Sequence, residues 1–221
     1  MFILKNITIE RMLKEKIPNY CCGVLSFEIV VAESNDELKN EMDAVAASVK
    51  SLTLESLLKT PRIHAARSGY KALGKDPSRY RLATESLLRR LIKGNALYFV
   101  NNAVDIGNVL SIKTQRSVAV LDESQIKGEI FIRIGGDEHY EGIGRGVINV
   151  KNIPVYCDDI GPFGSPTSDT LRTAVKESTA KILLFIMSFD GTDGLKDDIY
   201  LAKELFKQFA GVDNFEWKII E

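Results

Sequence analysis

The sequence predicts an α+β fold in which helices pack against mixed and antiparallel sheets. Three observations lead there. Apolar residues recur at helical spacing through most of the first half, short β-branched runs punctuated by Gly and Pro fill the second, and one long amphipathic segment returns near the end. At 221 residues and 45% hydrophobic composition the chain can close a sizeable core, and one domain over 1–221 is expected.

The elements follow in order. Phe2-Ile3-Leu4 is a short apolar run ahead of charged residues and Pro18. Cys21 to Ala32, CCGVLSFEIVVA, is apolar at nearly every position and predicts a strand buried on both faces. Ser34-Asn35-Asp36 offers an N-cap, after which Leu38, Met42, Val45, Val49 and Leu52 fall three or four apart and predict an amphipathic helix. Leu54 to Leu58 either continues that helix or begins another, and Pro61 ends it. Residues 62 to 94 are helical with breaks at Gly74 and Pro77, resuming from Arg79. Leu97 to Ile106 is apolar except for Asn101, Asn102 and Asp105; it is expected as a strand in which those three groups need partners. Further strands are expected at Ser117 to Leu121, through EIFIRI after Gly128, on either side of Asn152-Ile153-Pro154, and in KILLFIMSF from Lys181. A helix start is expected at Ser168-Asp169-Thr170, and a last helix over 194–210 is closed by Gly211.

Charge and composition narrow the function classes. A formal net charge of −1 and a pI near 6.2 give no bulk attraction to nucleic acid or anionic lipid. Between Arg62 and Lys93, however, nine basic residues meet only Asp76 and Glu85. Such a stretch serves either as a solvated helical face or as a phosphate-facing surface, and Tyr70 and Tyr80 within it either pack in the core or stack on a base. Cys21, Cys22 and the distant Cys157 fit neither a disulfide framework nor a zinc spacing, and His64 and His139 stand alone, so no metal and no cofactor are expected. The absence of an apolar run near ~20 residues and of a signal-peptide pattern predicts a cytoplasmic protein with no membrane contact. Gly142-Ile143-Gly144-Arg145-Gly146 lacks the strand-to-helix setting of a dinucleotide loop, and no ATP site is expected.

The most site-like stretch is Pro154 to Thr179, PVYCDDIGPFGSPTSDTLRTAVKEST. Between Asp158 and Thr173 it gathers Asp158, Asp159 and Asp169, two glycines, two prolines, a series of hydroxyls and Arg172, which together supply fixed backbone turns, close approach and directional hydrogen bonds. The same residues also suit a plain Pro/Gly turn leading into a helix cap. Beside it we place Phe99 to Asn108, so that Asn108 and the Ser/Thr turn wall one polar hollow.

Several blocks carry a resemblance in order and spacing: RSGYKALGKDPSRYR, VDIGN, VAVLD, KGEIFIRI, PVYCDD, GPFGSPTSD and TAVKESTAKILL. From about Ala66 to Ile186 the chain resembles the B3/B4 module of the bacterial phenylalanyl-tRNA synthetase β subunit, and it is similar to freestanding B3/B4-domain proteins. The resemblance implies a B3/B4-like fold and an editing site that hydrolyses a wrongly attached aminoacyl ester, acting as a second sieve in trans. Its implied partner is tRNA or the 3′ end of an aminoacyl-tRNA. On that reading Asp169 and Asn108 are catalytic. Asp105, Gly164, Ser165, Thr167, Ser168 and Thr173 bind substrate, and Arg67, Tyr70, Lys71 and Arg172 bind tRNA. Gly107 stands where the synthetase has Thr, and Ala119 where it has its editing-site His. The alternative is therefore a module that binds RNA or an amino acid without chemistry.

Overall fold

The computed structural model describes residues 4–221, so Phe2 and Ile3 of the opening apolar run lie outside the described residues. Along the chain run β1 (Ile7–Ile9), α1 (Arg11–Lys16), β2 (Cys21–Glu28), α2 (Asp36–Ser48), α3 (Leu54–Lys59), α4 (Pro61–Ala72), α5 (Ala83–Ile92), α6 (Asn102–Thr114), β3 (Val118–Asp122), β4 (Ile130–Ile134), β5 (His139–Gly142), β6 (Gly146–Asn149), β7 (Pro154–Asp158), β8 (Gly161–Gly164), β9 (Lys181–Ser188), α7 (Leu195–Ala210) and β10 (Glu216–Ile220). The central sheet is antiparallel in the order β10-β2-β9-β3. A mixed sheet, β1-β4-β7-β8, has a parallel β1–β4 pair, and β5 and β6 form a hairpin of their own. The fold is α+β.

Because successive side chains of a strand point to opposite faces, β2 and β9 divide the interior in two. Cys22, Val24, Leu183, Phe185 and Met187 join the mixed sheet's Ile130, Ile132, Val155, Tyr156 and Phe163 in one core. Cys21, Leu25, Phe27, Ile182, Leu184 and Ile186 join α2, α5, α6 and α7 in the other. The two strands are apolar nearly throughout because both of their faces are covered. The three cysteines are buried and free, as small apolar side chains.

Asn35 caps α2 by accepting from the Leu38 amide at 2.9 Å, as its position predicts. Pro61 both follows α3 and opens α4 at its first turn, where its missing N–H costs nothing. The expected strand from Leu97 to Ile106 is corrected: its second half enters the helix α6. Asn101 accepts from the Val104 amide at 2.9 Å and so starts that helix. The Asn102 side-chain amide accepts from Ala32 N at 3.1 Å and donates to Val30 O at 3.0 Å, pairing with extended backbone just past β2. Asp105 accepts from Ser34 Oγ at 2.6 Å and from the Val100 amide. All three polar groups thus anchor the N-terminal end of α6. Gly107 lets α6 lie against β3, since a Cβ there would collide with the Val120 side chain.

The basic stretch is also rearranged by folding. Glu85, fully buried, accepts two bonds from Arg67, at 3.0 and 2.9 Å, and one from Arg89 at 2.7 Å. Arg62 donates to Thr114 O and Asp198. A second buried network centres on Arg116, which donates to Asp198 at 2.7 Å, Ser188 at 2.7 Å and Asp190 at 2.5 Å. It ties the end of α6 to the end of β9 and the start of α7. Removing one partner of such a network leaves buried charge uncompensated, so Arg116→Met should lower unfolding free energy by ~3 kcal/mol in urea titration; a loss under ~0.5 kcal/mol, the scale of an exposed pair, would show that the network is not structural.

Candidate functional site

The focal segment folds back on itself instead of starting a helix at Ser168. Ser165 N donates to Ser168 O at 3.1 Å, Thr170 N donates to Phe163 O at 3.0 Å, and Gly164 bridges Asp169. A single 3-10 turn, Leu171–Thr173, follows. The turn chemistry of Gly, Ser and Pro explains the departure, because the Ser165 hydroxyl receives the Thr167 and Ser168 amides, both at 3.3 Å, that would otherwise point along a helix.

Two carboxyls in this segment have opposite environments. Asp158 accepts a forked pair from Arg172, both bonds at 2.9 Å, and the amides of Lys127, Ile160 and Gly161. Burial alone would push its carboxyl up, but Arg172 and the amides outweigh it and hold the group below the usual carboxylate range. Asp169 has no such company. Its Oδ1 is sealed from solvent without a hydrogen-bond partner, and burial pushes the carboxyl up to about 8. Gly164 makes the room: a Cβ there would stand 2.7 Å from Asp169 Oδ1 and 3.1 Å from the Tyr156 ring.

Hydroxyls of the same turn pair with tyrosines behind it. Thr167 Oγ1 and Tyr70 OH pair at 2.9 Å, Ser165 Oγ and Tyr140 OH pair at 2.7 Å, and Tyr140 OH also donates to Ser168 O at 2.5 Å. The Tyr156 hydroxyl is sealed without a hydrogen bond. Burial raises the phenols of Tyr70, Tyr140 and Tyr156, so all three stay neutral donors.

The β5–β6 hairpin is stapled to the segment by a Gly142–Thr170 bridge and by Ile143 N donating to Asp169 O at 3.0 Å. Its tip is Gly144-Arg145-Gly146. Arg145 reaches over to donate to Ser86 Oγ at 3.0 Å. Beneath lies a hollow of about 400 Å³ lined by Arg79, Tyr80, Arg145, Val147, Ile148, Asn149 and Thr167. No acid lines it.

The sequence-derived site residues separate into groups. Gly164, Ser165, Thr167, Ser168 and Asp169 come together around the turn, with Tyr70 behind them. Asn108 and Asp105 do not join them. Their helix, α6, packs through Ala103, Ile106, Val109 and Leu110 into the helical core, while the hydroxyl cluster's Tyr70, Tyr140 and Tyr156 belong to the core on the other face of the central sheet. The expectation of one shared hollow is corrected accordingly. Tyr70 is wholly buried and offers no face to a base, which corrects its stacking role. Arg67 and Arg172 are each forked onto a buried carboxylate, and Thr173 is buried, donating to Phe163 O. Lys71 is exposed on α4. Tyr140 and Arg145 were not singled out from sequence; the alternating glycines around Arg145 were the one signal, and they mark a hairpin tip. Among the described residues no cluster of His, Cys, Asp and Glu could hold a metal ion, and no helix is long and apolar enough to cross a membrane.

Asp169 has a thermodynamic signature. The folded protein keeps this proton up to about pH 8, whereas the unfolded chain gives it up near pH 4, so stability contributed by the neutral carboxyl is lost as pH rises across that window. Wild type should lose up to ~1.4 kcal/mol per pH unit relative to Asp169→Asn between those limits. Parallel pH profiles in chemical denaturation would remove the perturbed carboxyl.

A sequence model of the B3/4 domain matches residues 65–202, which contains the Ala66 to Ile186 span of the resemblance noted from sequence. Among solved structures 15 chains match. One is an N-terminal fragment of the phenylalanyl-tRNA synthetase β subunit from Pyrococcus horikoshii, 10% identical, with a TM-score of 0.49; the match covers 100% of this chain and 52% of that one, so the chain spans about half the fragment's length. No curated protein matches. With more than half of its residues inside the matched span, the chain belongs to the B3/4 domain family.

Proposed function

We propose that this B3/4 protein acts on the 3′ end of an aminoacyl-tRNA and hydrolyses a misplaced aminoacyl ester in trans. One observation carries the reading: Asp169, its Oδ1 sealed without a partner and its carboxyl pushed up to about 8, sits two residues after Thr167, which lines an acid-free hollow beside Arg79 and Arg145. A group that gains and loses its proton near neutrality is suited to general base work. In the proposed step Asp169 takes a proton from water as the water oxygen bonds to the ester carbonyl carbon. The tetrahedral intermediate then breaks its bond to the ribose oxygen, which receives the proton, leaving a free amino acid and a free terminal hydroxyl. An aminoacyl ester is already activated, so a positioned water suffices without a covalent nucleophile. The Thr167 hydroxyl, at the wall of the hollow, supplies a donor for the carbonyl oxygen. Asn108 takes no part in this version of the site.

A second reading, binding of RNA or an amino acid without chemistry, is favoured by a different observation. Ala119, where the synthetase module has its histidine, is packed in the core at 1% exposure, so no imidazole serves the site from that position.

The two readings part on a panel of mischarged tRNAs. Hydrolysis of at least one is expected, with a rate that climbs about tenfold per pH unit towards pH 8 as the base loses its proton, and that falls by about a hundredfold or more in Asp169→Asn. Asn108→Ala should stay within about twofold of wild type, because removal of a group distant from the chemistry leaves transition-state stabilisation intact. Salt-dependent binding of uncharged tRNA with no turnover of any ester would replace the deacylase by the binding module.

A further inference from the structure

We propose that the hollow framed by Arg79, Tyr80 and Arg145 is a nucleotide site, taking a phosphate on the two guanidiniums and the base against the Tyr80 ring. It deepens the deacylase reading and rests on it for the nature of the RNA, but its own support is the geometry of the hollow. At about 400 Å³ the cavity falls within the range of small-molecule sites and has room for a mononucleotide unit.

Several arginines are already matched to acids. Arg67 and Arg89 hold Glu85, Arg62 and Arg116 hold Asp198, and Arg172 holds Asp158, all within 3.1 Å. Arg145 has a neutral hydroxyl, Ser86 Oγ, as its hydrogen-bond partner. Arg81 is a like charge beside it, and among the described residues no ion pair joins Arg145 to a carboxylate. Arg79 has an acid only at 3.9 Å, Asp76, whose oxygens are taken by the Ser78 amide and hydroxyl at 2.7 to 2.9 Å. An anion would complete both, and a forked guanidinium matches phosphate oxygens in geometry as well as charge.

The ring is held in advance. Lys75 Nζ sits 3.7 Å from the centroid of Tyr80, and the same ammonium is locked to Asn149 O at 3.1 Å and Lys151 O at 2.6 Å. Ring and hairpin are thereby fixed relative to each other, and a fixed aromatic surface stacks on a base with little ordering cost. Thr167 and Asn149 add hydrogen-bonding groups at the wall. The focal turn and the nucleotide pocket meet at Thr167.

Calorimetric titration of the full chain with AMP, adenosine and a short uncharged RNA ending in a free 3′ hydroxyl tests the site. AMP should bind roughly tenfold or more tightly than adenosine, and Arg145→Gln should remove about that factor for AMP while leaving adenosine nearly unchanged, as expected for one charge-assisted contact. Tyr80→Leu should weaken both ligands. Tighter binding of the RNA than of AMP supports a polynucleotide end as occupant, and the reverse supports a free nucleotide. Equal binding of AMP and adenosine, indifference of AMP to Arg145→Gln, or no binding of AMP or RNA would each overturn the proposal. Arg145 lies on an exposed hairpin tip, and an unchanged unfolding transition of Arg145→Gln will show that any loss is local. Nucleotide binding without ester turnover keeps the site and removes the deacylase, whereas turnover insensitive to Arg145→Gln does the opposite.

Discussion

Alternation of side chains along β2 and β9 is the constraint on which the arrangement depends. Both strands are covered on both faces, so their alternate residues fall into two interiors, to both of which α4 also contributes. The helical interior takes α6 with its polar N-terminal end, and the interior against the mixed sheet takes the tyrosines and the turn after β8. Between α6 and the turn stands the start of α5, whose Thr84 hydroxyl donates to Ser111 O and whose Ala83 amide donates to Pro166 O at 2.8 Å. Whatever chemistry the turn performs is therefore assembled from the mixed-sheet half of the molecule and from the loop and hairpin that cover it.

Within that half the two carboxyls of the focal segment show how environment separates roles. Asp158 is surrounded by donors, stays ionised and fastens Arg172 to the β7–β8 hairpin, which makes it a structural anchor. Asp169, eleven positions later, is pressed against Gly164 and aromatic carbon and keeps its proton to about 8. Divergent environments for neighbouring acids are a common basis for dividing work between them. Identical residue types thus end as a staple and as a group able to exchange a proton.

Much of the fold was legible in the sequence, for identifiable reasons. β2 and β9 are apolar nearly throughout, and α2 and α7 carry clean stripes with an Asn or Gly at their ends, so local pattern and final environment agree. α6 was misread because it is buried nearly all round and shows no stripe. Its Asn101, Asn102 and Asp105 looked costly within a strand, while their actual partners lie some seventy positions earlier or within the helix cap itself. The basic stretch was misleading for a related reason: Arg62 pairs with Asp198, 136 positions away. Sequence order hides such neutralisation. Of the candidate site, the turn from Gly164 to Asp169 was visible through its Gly, Pro and hydroxyl content, but Tyr140 and Arg145 reach it through long-range bonds of the hairpin to Ser165, Ser168, Asp169 and Thr170.

Ala119 connects, through its cross-strand partner, to the aromatic packing beside Asp169. Ala119 pairs across the sheet with Phe185, and Phe185 stacks on Tyr156 with ring centroids 4.9 Å apart and planes within 4°. Tyr156 in turn flanks Gly164 at the Asp169 carboxyl. Aromatic carbon thus fills the region that Ala119 adjoins, and a low-dielectric surround is what raises an acid towards the range in which an imidazole titrates. A carboxyl at about 8 lies closer to histidine's ordinary value than to its own. The same aromatic packing flanks Gly164 at a carboxyl able to exchange a proton near neutral pH.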